Sequence, residues 1–320
     1  MLVKFLILLV VIPFITSNAI AIDINSDSNV AYRLKSKLEV GVGFAKETSM
    51  YEFDTPSAHS ILTYDKMKNN QYFIDAKFKY FTSQNNEFNN IFLYINGNFG
   101  NTMSGEVRDD DVRNGSRVMS YHNLSANNNE QRIGIGYAFD LGKIYPNFNN
   151  HIFSLNVGYF KKYISTGSLN GWIAYPDNDV SSYTSSNRDQ ISRSIFEGVA
   201  IGAKIEKIID KDSSISFALN GLITQYGSSN YWKERDIDWS MRQGGSRKLN
   251  GFDAKIEYLT NISNKLDFLI FSYYQEIKSQ KLNEYSYDEV DTQPSWVPTE
   301  WTNNYAKTQS YGVGFGLKFW

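Results

Sequence analysis

An alternation of apolar and polar residues with period two constrains this chain more than any other feature. Near the C-terminal end, Tyr311, Val313, Phe315, Leu317 and Phe319 fall on one side. Gly312, Gly314, Gly316 and Lys318 fall on the other. The same parity recurs in 72–80, where Tyr72, Ile74, Ala76 and Phe78 alternate with Phe73, Asp75, Lys77 and Lys79. In 252–258, Phe252, Ala254, Ile256 and Tyr258 alternate with Asp253, Lys255 and Glu257. Period two sends successive side chains to opposite faces of a strand, so each run has one apolar and one polar face.

About ten such strands are expected, over 36–53, 59–81, 88–106, 128–141, 150–168, 191–208, 213–228, 246–262, 264–285 and 304–320. Several exceed the usual strand length of about 3–10 residues. The connections alternate in length. Those near 82–87, 142–149, 209–212 and 262–264 are short, and those near 107–127, 169–190, 229–245 and 286–303 are long, polar and charged. Alternating faces, long strands, short turns at one end and long loops at the other predict an all-β transmembrane antiparallel β-barrel with long extracellular loops. A secreted sandwich also shows period two, but it has no need of strands this long.

Composition agrees. The chain has 320 residues, no cysteine and a formal charge of -2, which excludes a disulfide scaffold and a nucleic-acid binder built on a basic footprint. It carries 22 Tyr, 21 Phe and 6 Trp although it averages hydrophilic, and no apolar run after the N-terminus is long enough for a transmembrane helix. A barrel reconciles the two, because lipid and its interfaces accept rings on the outer wall.

Residues 1–21 read as a secretory signal. Lys4 supplies the positive start, Phe5 to Ile15 the apolar stretch, and Ala19-Ile20-Ala21 an A-x-A cleavage site. Residues 22–320 then form a single outer-membrane barrel domain of a Gram-negative bacterium, with its charged faces lining the lumen.

Chemistry is expected in the long loops. Asp109 and Asp111, an Asp-x-Asp pair flanked by Arg108 and Arg113, share one face of an extended strand. Asp236 and Asp238 share a face in the same way, in Glu234-Arg235-Asp236-Ile237-Asp238-Trp239. The two clusters are about four strands apart in a ring of ten, so they face each other across a groove and could hold a water between them. Asp177-Asn178-Asp179, after Pro176, reads as a turn. His59, His122 and His151 are scattered, with His122 placed in an extracellular loop, and none has metal-site spacing. No Walker phosphate-binding pattern and no G-x-S-x-G nucleophile elbow occurs in a fitting context.

The chain resembles the omptins, the family of ten-stranded outer-membrane proteases. The likeness rests on Ser60 to Asn69 at the second strand, on Ser104-Gly105-Glu106-Val107 leading into Asp109 and Asp111, and on the ending Gly316-Leu317-Lys318-Phe319. The resemblance implies an aspartic-type endopeptidase that activates water and cuts beside basic residues of peptides or proteins. In that family an Asp pair on one wall faces an Asp/His couple on the other. Asp109 and Asp111 match the pair, and Asp236 matches the Asp of the couple. The family's His falls on Asp238, and a carboxylate is a weak base at neutral pH beside an imidazole. Four facing carboxylates sharing a proton would be one substitute. The resemblance also implies no cofactor beyond lipopolysaccharide, held by basic residues on the outer wall. There Lys161 on the fifth strand and Arg193 entering the sixth have the right sign, while Tyr163 stands where the family would have an Arg. The alternative is a catalytically inactive surface barrel, an adhesin or ligand-binding protein, in keeping with Asp238 and with the Trp-bearing stretch Pro294 to Trp301.

Overall fold

The computed structural model describes residues 36–55, 58–79, 91–113, 116–148, 150–174, 180–183, 190–210, 212–232, 238–245, 248–263, 265–288, 295–298 and 302–320. The signal-like segment 1–21 lies outside them. No described helix is long and apolar enough to cross a membrane, which says nothing about strands.

All pairings are antiparallel. Ten long strands carry the fold: β1 (Lys37–Thr55), β2 (Ala58–Lys79), β3 (Ile91–Arg113), β4 (Ser116–Asp140), β5 (His151–Ala174), β7 (Gln190–Ile208), β8 (Ser213–Trp232), β10 (Gly251–Ser263), β11 (Leu266–Gln280) and β14 (Thr302–Phe319). Each pairs with the next, β1 pairs with β14, and β8 pairs with β10 to close the path into a ring. Four short strands lie off the ring: β6 (Val180–Tyr183) on β5, then β9 (Asp238–Gly245), β12 (Asn283–Asp288) and β13 (Ser295–Pro298) continuing from β8. The sheet therefore has fourteen strands rather than about ten, the excess lying at the long-loop end.

Outside the ring runs an apolar belt. Val42, Phe44, Tyr72, Ile133, Leu155, Ile201, Phe217, Ile256, Val313 and Phe315 are all exposed. Such a belt is costly in water, at about 25 cal/mol per Å² of apolar surface, and is the outer wall of a transmembrane barrel. Inside, Glu39, Lys162, Glu257, Asp253 and Lys318 are buried, so the polar parity faces the lumen as the sequence predicts.

The inward glycines make room for rings. A Cβ on Gly41 would sit 2.2 Å from Phe73 Cζ, and one on Gly314 2.4 Å from Phe271 Cζ. Phe73 and Phe271 meet edge to face across this gap, with centroids 4.6 Å apart. The Gly-rich side of β14 is thus a floor for lumen aromatics.

Two storeys divide the lumen. The lower one, at the short-turn end, holds a cavity of about 200 Å³ lined by charged residues such as Lys37, Asp75, Lys77 and Lys255. Above it the Glu47–Lys162 ion pair spans the lumen at 2.6 Å, capped by an apolar layer that includes Met67, Phe160, Phe196, Leu222 and Ile277.

One expectation fails here. The segment 107–127 is not a long loop, since β3 and β4 pair from Glu106↔Asn123 up to Arg113↔Ser116. β5 and β8 also run on, to Ala174 and Trp232. The reason is physical. Above the apolar belt both faces of the sheet meet polar surroundings, so the alternation in hydropathy stops while backbone pairing continues. Parity also flips there. A register irregularity in β2 between Asp65 and Lys68 places Met67, Gln71 and Phe73 inward below it and Ser60, Leu62 and Tyr64 inward above it.

Candidate functional site

The run Asp109-Asp110-Asp111 lies in the upper part of β3, and the strand divides it between two faces. Asp109 is buried, and Asp111, two residues on, shares its parity. Asp110 takes the opposite parity and accepts a hydrogen bond from Arg108 Nη2 at 2.7 Å. Adjacent carboxylates that would repel on one face are therefore separated, and the odd one is paired.

β2 and β4 complete this wall. Asp109 stands opposite Leu62 on β2 and Ser120 on β4, and Asp111 opposite Ser60 and Val118. His122 stands opposite Val107, the inward residue two positions below Asp109. It is only 5% exposed, so it belongs to the wall rather than to a loop. Asp109 and His122 are diagonal neighbours in an antiparallel ladder, close enough for long side chains to interact. An imidazole diagonal to a carboxylate combines a potential base with a group that can orient it.

The sequence reading missed His122 because it closed the third strand at 106. The signal was present. Asn114-Gly115 is a two-residue hairpin sequence, and a turn centred there sets 109 against 120 and 107 against 122.

The facing wall is built by β8, β9 and β12, with β3 and β8 four steps apart round the ring. Asp236 lies outside the described residues. Asp238 opens β9, paired with Trp232, four positions before Arg242. Arg242 is 4% exposed, its guanidinium lies 3.5 Å over the ring of Tyr51, and its Nε donates to Glu284 Oε2 at 3.2 Å. Tyr51 Oη donates to the same oxygen. Burial pushes the Glu284 carboxyl above its ordinary range, and pushes the Tyr64 phenol up to about 12. Neither Arg242 nor Glu284 was singled out from the sequence, because strand alternation says nothing about which residues meet across a lumen.

The two cations expected to hold lipid both point outward. Lys161, between the buried Phe160 and Lys162, lies 4.0 Å from Glu197, which also accepts from Tyr159 Oη at 3.1 Å. Arg193 is exposed on β7, opposite Ser165, and shares the outward parity of Glu197. Both residues sit just above the exposed Val157, Tyr159 and Val199 of the belt.

Of the remaining candidates, His59 lies at the top of β2 with its Nδ1 2.6 Å from Asp54 Oδ1. That hydrogen bond, with a second from Asn303, holds the Asp54 carboxyl below its ordinary range. His151 begins β5 against Phe148. Asp177-Asn178-Asp179 lies outside the described residues. Among the described residues no group of His, Cys, Asp and Glu is arranged to hold a metal.

No protein-family model matches the sequence, and no curated protein matches it. Solved structures do. The outer membrane protease OmpT from Escherichia coli aligns with a TM-score of 0.67 over 94% of this chain and 99% of its own, at 11% identity. The outer membrane protein OprG from Pseudomonas aeruginosa aligns over 89% of this chain and 96% of its own, with a TM-score of 0.29 and 10% identity. A FadL homologue from the same species covers 89% and 90%, with a TM-score of 0.31 and 6% identity. At 11% identity the OmpT alignment shows a shared fold alone: this chain has an outer-membrane β-barrel fold.

Proposed function

We propose that the chain is an omptin-like outer-membrane protein of a Gram-negative bacterium, with its long-loop end extracellular, and that this end hydrolyses peptides with an activated water. The observation that carries the reading is the inward, buried His122 set diagonally to Asp109 on β3 and β4. His122 takes the role that the resemblance assigns to a histidine at the position of Asp238. In this scheme His122 Nε2 or Nδ1 accepts a proton from water as the water oxygen attacks the peptide carbonyl carbon. Asp109 orients the imidazole and Asp111 holds the water. The proton then passes to the leaving amine as the C–N bond breaks. Asp236 and Asp238, from the facing wall, hold the basic residue of the substrate or the attacking water. Lys161 and Arg193 hold lipopolysaccharide phosphates. Their outward placement above the belt supports this, since that height matches the lipid headgroups.

A second reading is a surface barrel that binds without turnover. It is favoured by Asp238 and by the short sheet of β9, β12 and β13, which extends from the ring and includes Trp296, as an adhesin would need.

One assay separates them. The full-length barrel, refolded with lipopolysaccharide, is offered a dibasic fluorogenic peptide from pH 4 to pH 8. Cleavage that falls at least a hundredfold in Asp109→Ala and His122→Ala, with heat-modifiable gel mobility retained, supports the hydrolase. Absence of turnover at every pH, or turnover untouched by His122→Ala, leaves the binding protein.

A further inference from the structure

The facing wall carries a second polar cluster, centred on Arg242. Arg242 is nearly fully buried, yet among the described residues only its Nε has a hydrogen-bond partner, Glu284 Oε2. The Nη edge of a guanidinium can grip a second carboxylate when the Nε edge is already engaged. Among the described residues that edge makes no hydrogen bond, and Arg242 borders a cavity of about 20 Å³ shared with Tyr51, Tyr64, Ser192, Ser194 and Tyr226. Such a volume takes one or two water-sized groups.

Two more donors stand beside it. Ser228 lies directly opposite Arg242 in the β8–β9 ladder, and Asn230 one inward position further along β8. They are 7% and 0% exposed. Ser228 Oγ and Asn230 Nδ2 have no hydrogen-bond partner among the described residues, while Asn230 Oδ1 is engaged by Ser192 Oγ. Buried donors left without partners are costly, by about 1–3 kcal/mol each, so these two beside the Arg242 guanidinium favour an acceptor there.

We propose that Arg242, Asn230 and Ser228 form a carboxylate-binding site for a peptide, taking either an acidic side chain or a chain-terminal carboxylate. The Nη edge supplies charge and a two-oxygen grip, Asn230 a neutral donor, and Tyr51 a rigid backing to the guanidinium. Tyr51 and Glu284 hold that guanidinium from behind, so the site is set before the ligand arrives. This goes beyond the hydrolase reading and does not depend on turnover at Asp109, because it concerns equilibrium binding on the other wall.

The test is fluorescence anisotropy with the full-length refolded protein, in wild-type and Asp109→Asn forms so that cleavage cannot distort the reading. Three labelled peptides serve as probes: tri-alanine with a free C-terminal carboxylate, tri-alanine amide, and amidated Ala-Glu-Ala. At least one carboxylate probe is expected to bind tenfold or more tightly than tri-alanine amide, and which one does so identifies the source. Arg242→Met is expected to abolish that preference. Equal binding of the amide, or a preference that survives Arg242→Met, overturns the proposal. Should Arg242→Met lose heat-modifiable mobility, the double variant Asn230→Ala/Ser228→Ala leaves the Arg242–Glu284 pair in place. It is expected to cut the preference at least threefold, and an unchanged preference again overturns the site.

Discussion

Glu47 Oε1 and Lys162 Nζ meet at 2.6 Å across the lumen, each about 1% exposed. Neither is a simple pair. Glu47 also accepts from Asn69, Asn128 and Thr308, and Lys162 donates to Gln275 at 2.9 Å. Six strands of the ring are thereby tied at one level, which joins folding to closure of the lumen.

Breaking this pair on one side leaves a buried charge uncompensated. Lys162→Met is expected to destabilise the barrel by about 3–5 kcal/mol. The double variant Glu47→Leu/Lys162→Met should recover most of that loss, because no charge is then stranded. Urea unfolding of refolded protein, followed by tryptophan fluorescence, gives both values. A double variant as unstable as the single one would show that the surrounding amides, not the charges, hold the level together.

The glycine floor makes a contrast between two positions. Gly41→Val puts carbon where the Phe73 ring lies, with the Cβ alone 2.2 Å from Phe73 Cζ. It is expected to cost at least about 1–3 kcal/mol, the usual range for overpacking. Gly227 has nothing within 4 Å of such a carbon. Gly227→Ala is therefore expected to be neutral or to stabilise by about 0.5–1 kcal/mol. The same unfolding series measures both, and equal effects would contradict the packing.

Asp54 and His59 predict a pH response at the top of the first hairpin. The hydrogen bond with His59 is the leading cause that holds the Asp54 carboxyl below its ordinary 3.8. A carboxylate with a depressed folded value contributes stability that is complete above 3.8 and is lost as pH falls through the folded value. A carbon-detected NMR titration of Asp54 is expected to give a midpoint below 3.8 that rises towards 3.8 in His59→Phe. A midpoint unmoved by that change would assign the shift to Asn303 instead.

Much of the fold is legible from local pattern. The alternation through Tyr72 to Phe78 and Tyr311 to Phe319 marks which residues face out, and the exposed Tyr72, Val313 and Phe315 sit as that pattern requires. Strand ends were less legible. Arg108 to Arg113 looks like a charged loop because polar residues occupy both of its faces, yet it is paired strand on both sides. The candidate site was half legible. Asp109 and Asp111 stand out as Asp-x-Asp, whereas His122 joins them only when the hairpin register is known. Arg242 and Glu284 lie 42 positions apart and meet through a short sheet that no spacing rule announces.

The sequence by itself determined the period, the outward belt and the polar lumen, because each depends only on a residue and its neighbours two positions away. The tertiary structure alone decided that Glu47 meets Lys162, that His122 stands beside Asp109, and that Arg242 backs onto Tyr51. Those contacts follow from hairpin register and from the β8–β10 pairing that closes the ring. Closure fixes which inward residues confront one another, and a period of two carries no information about that.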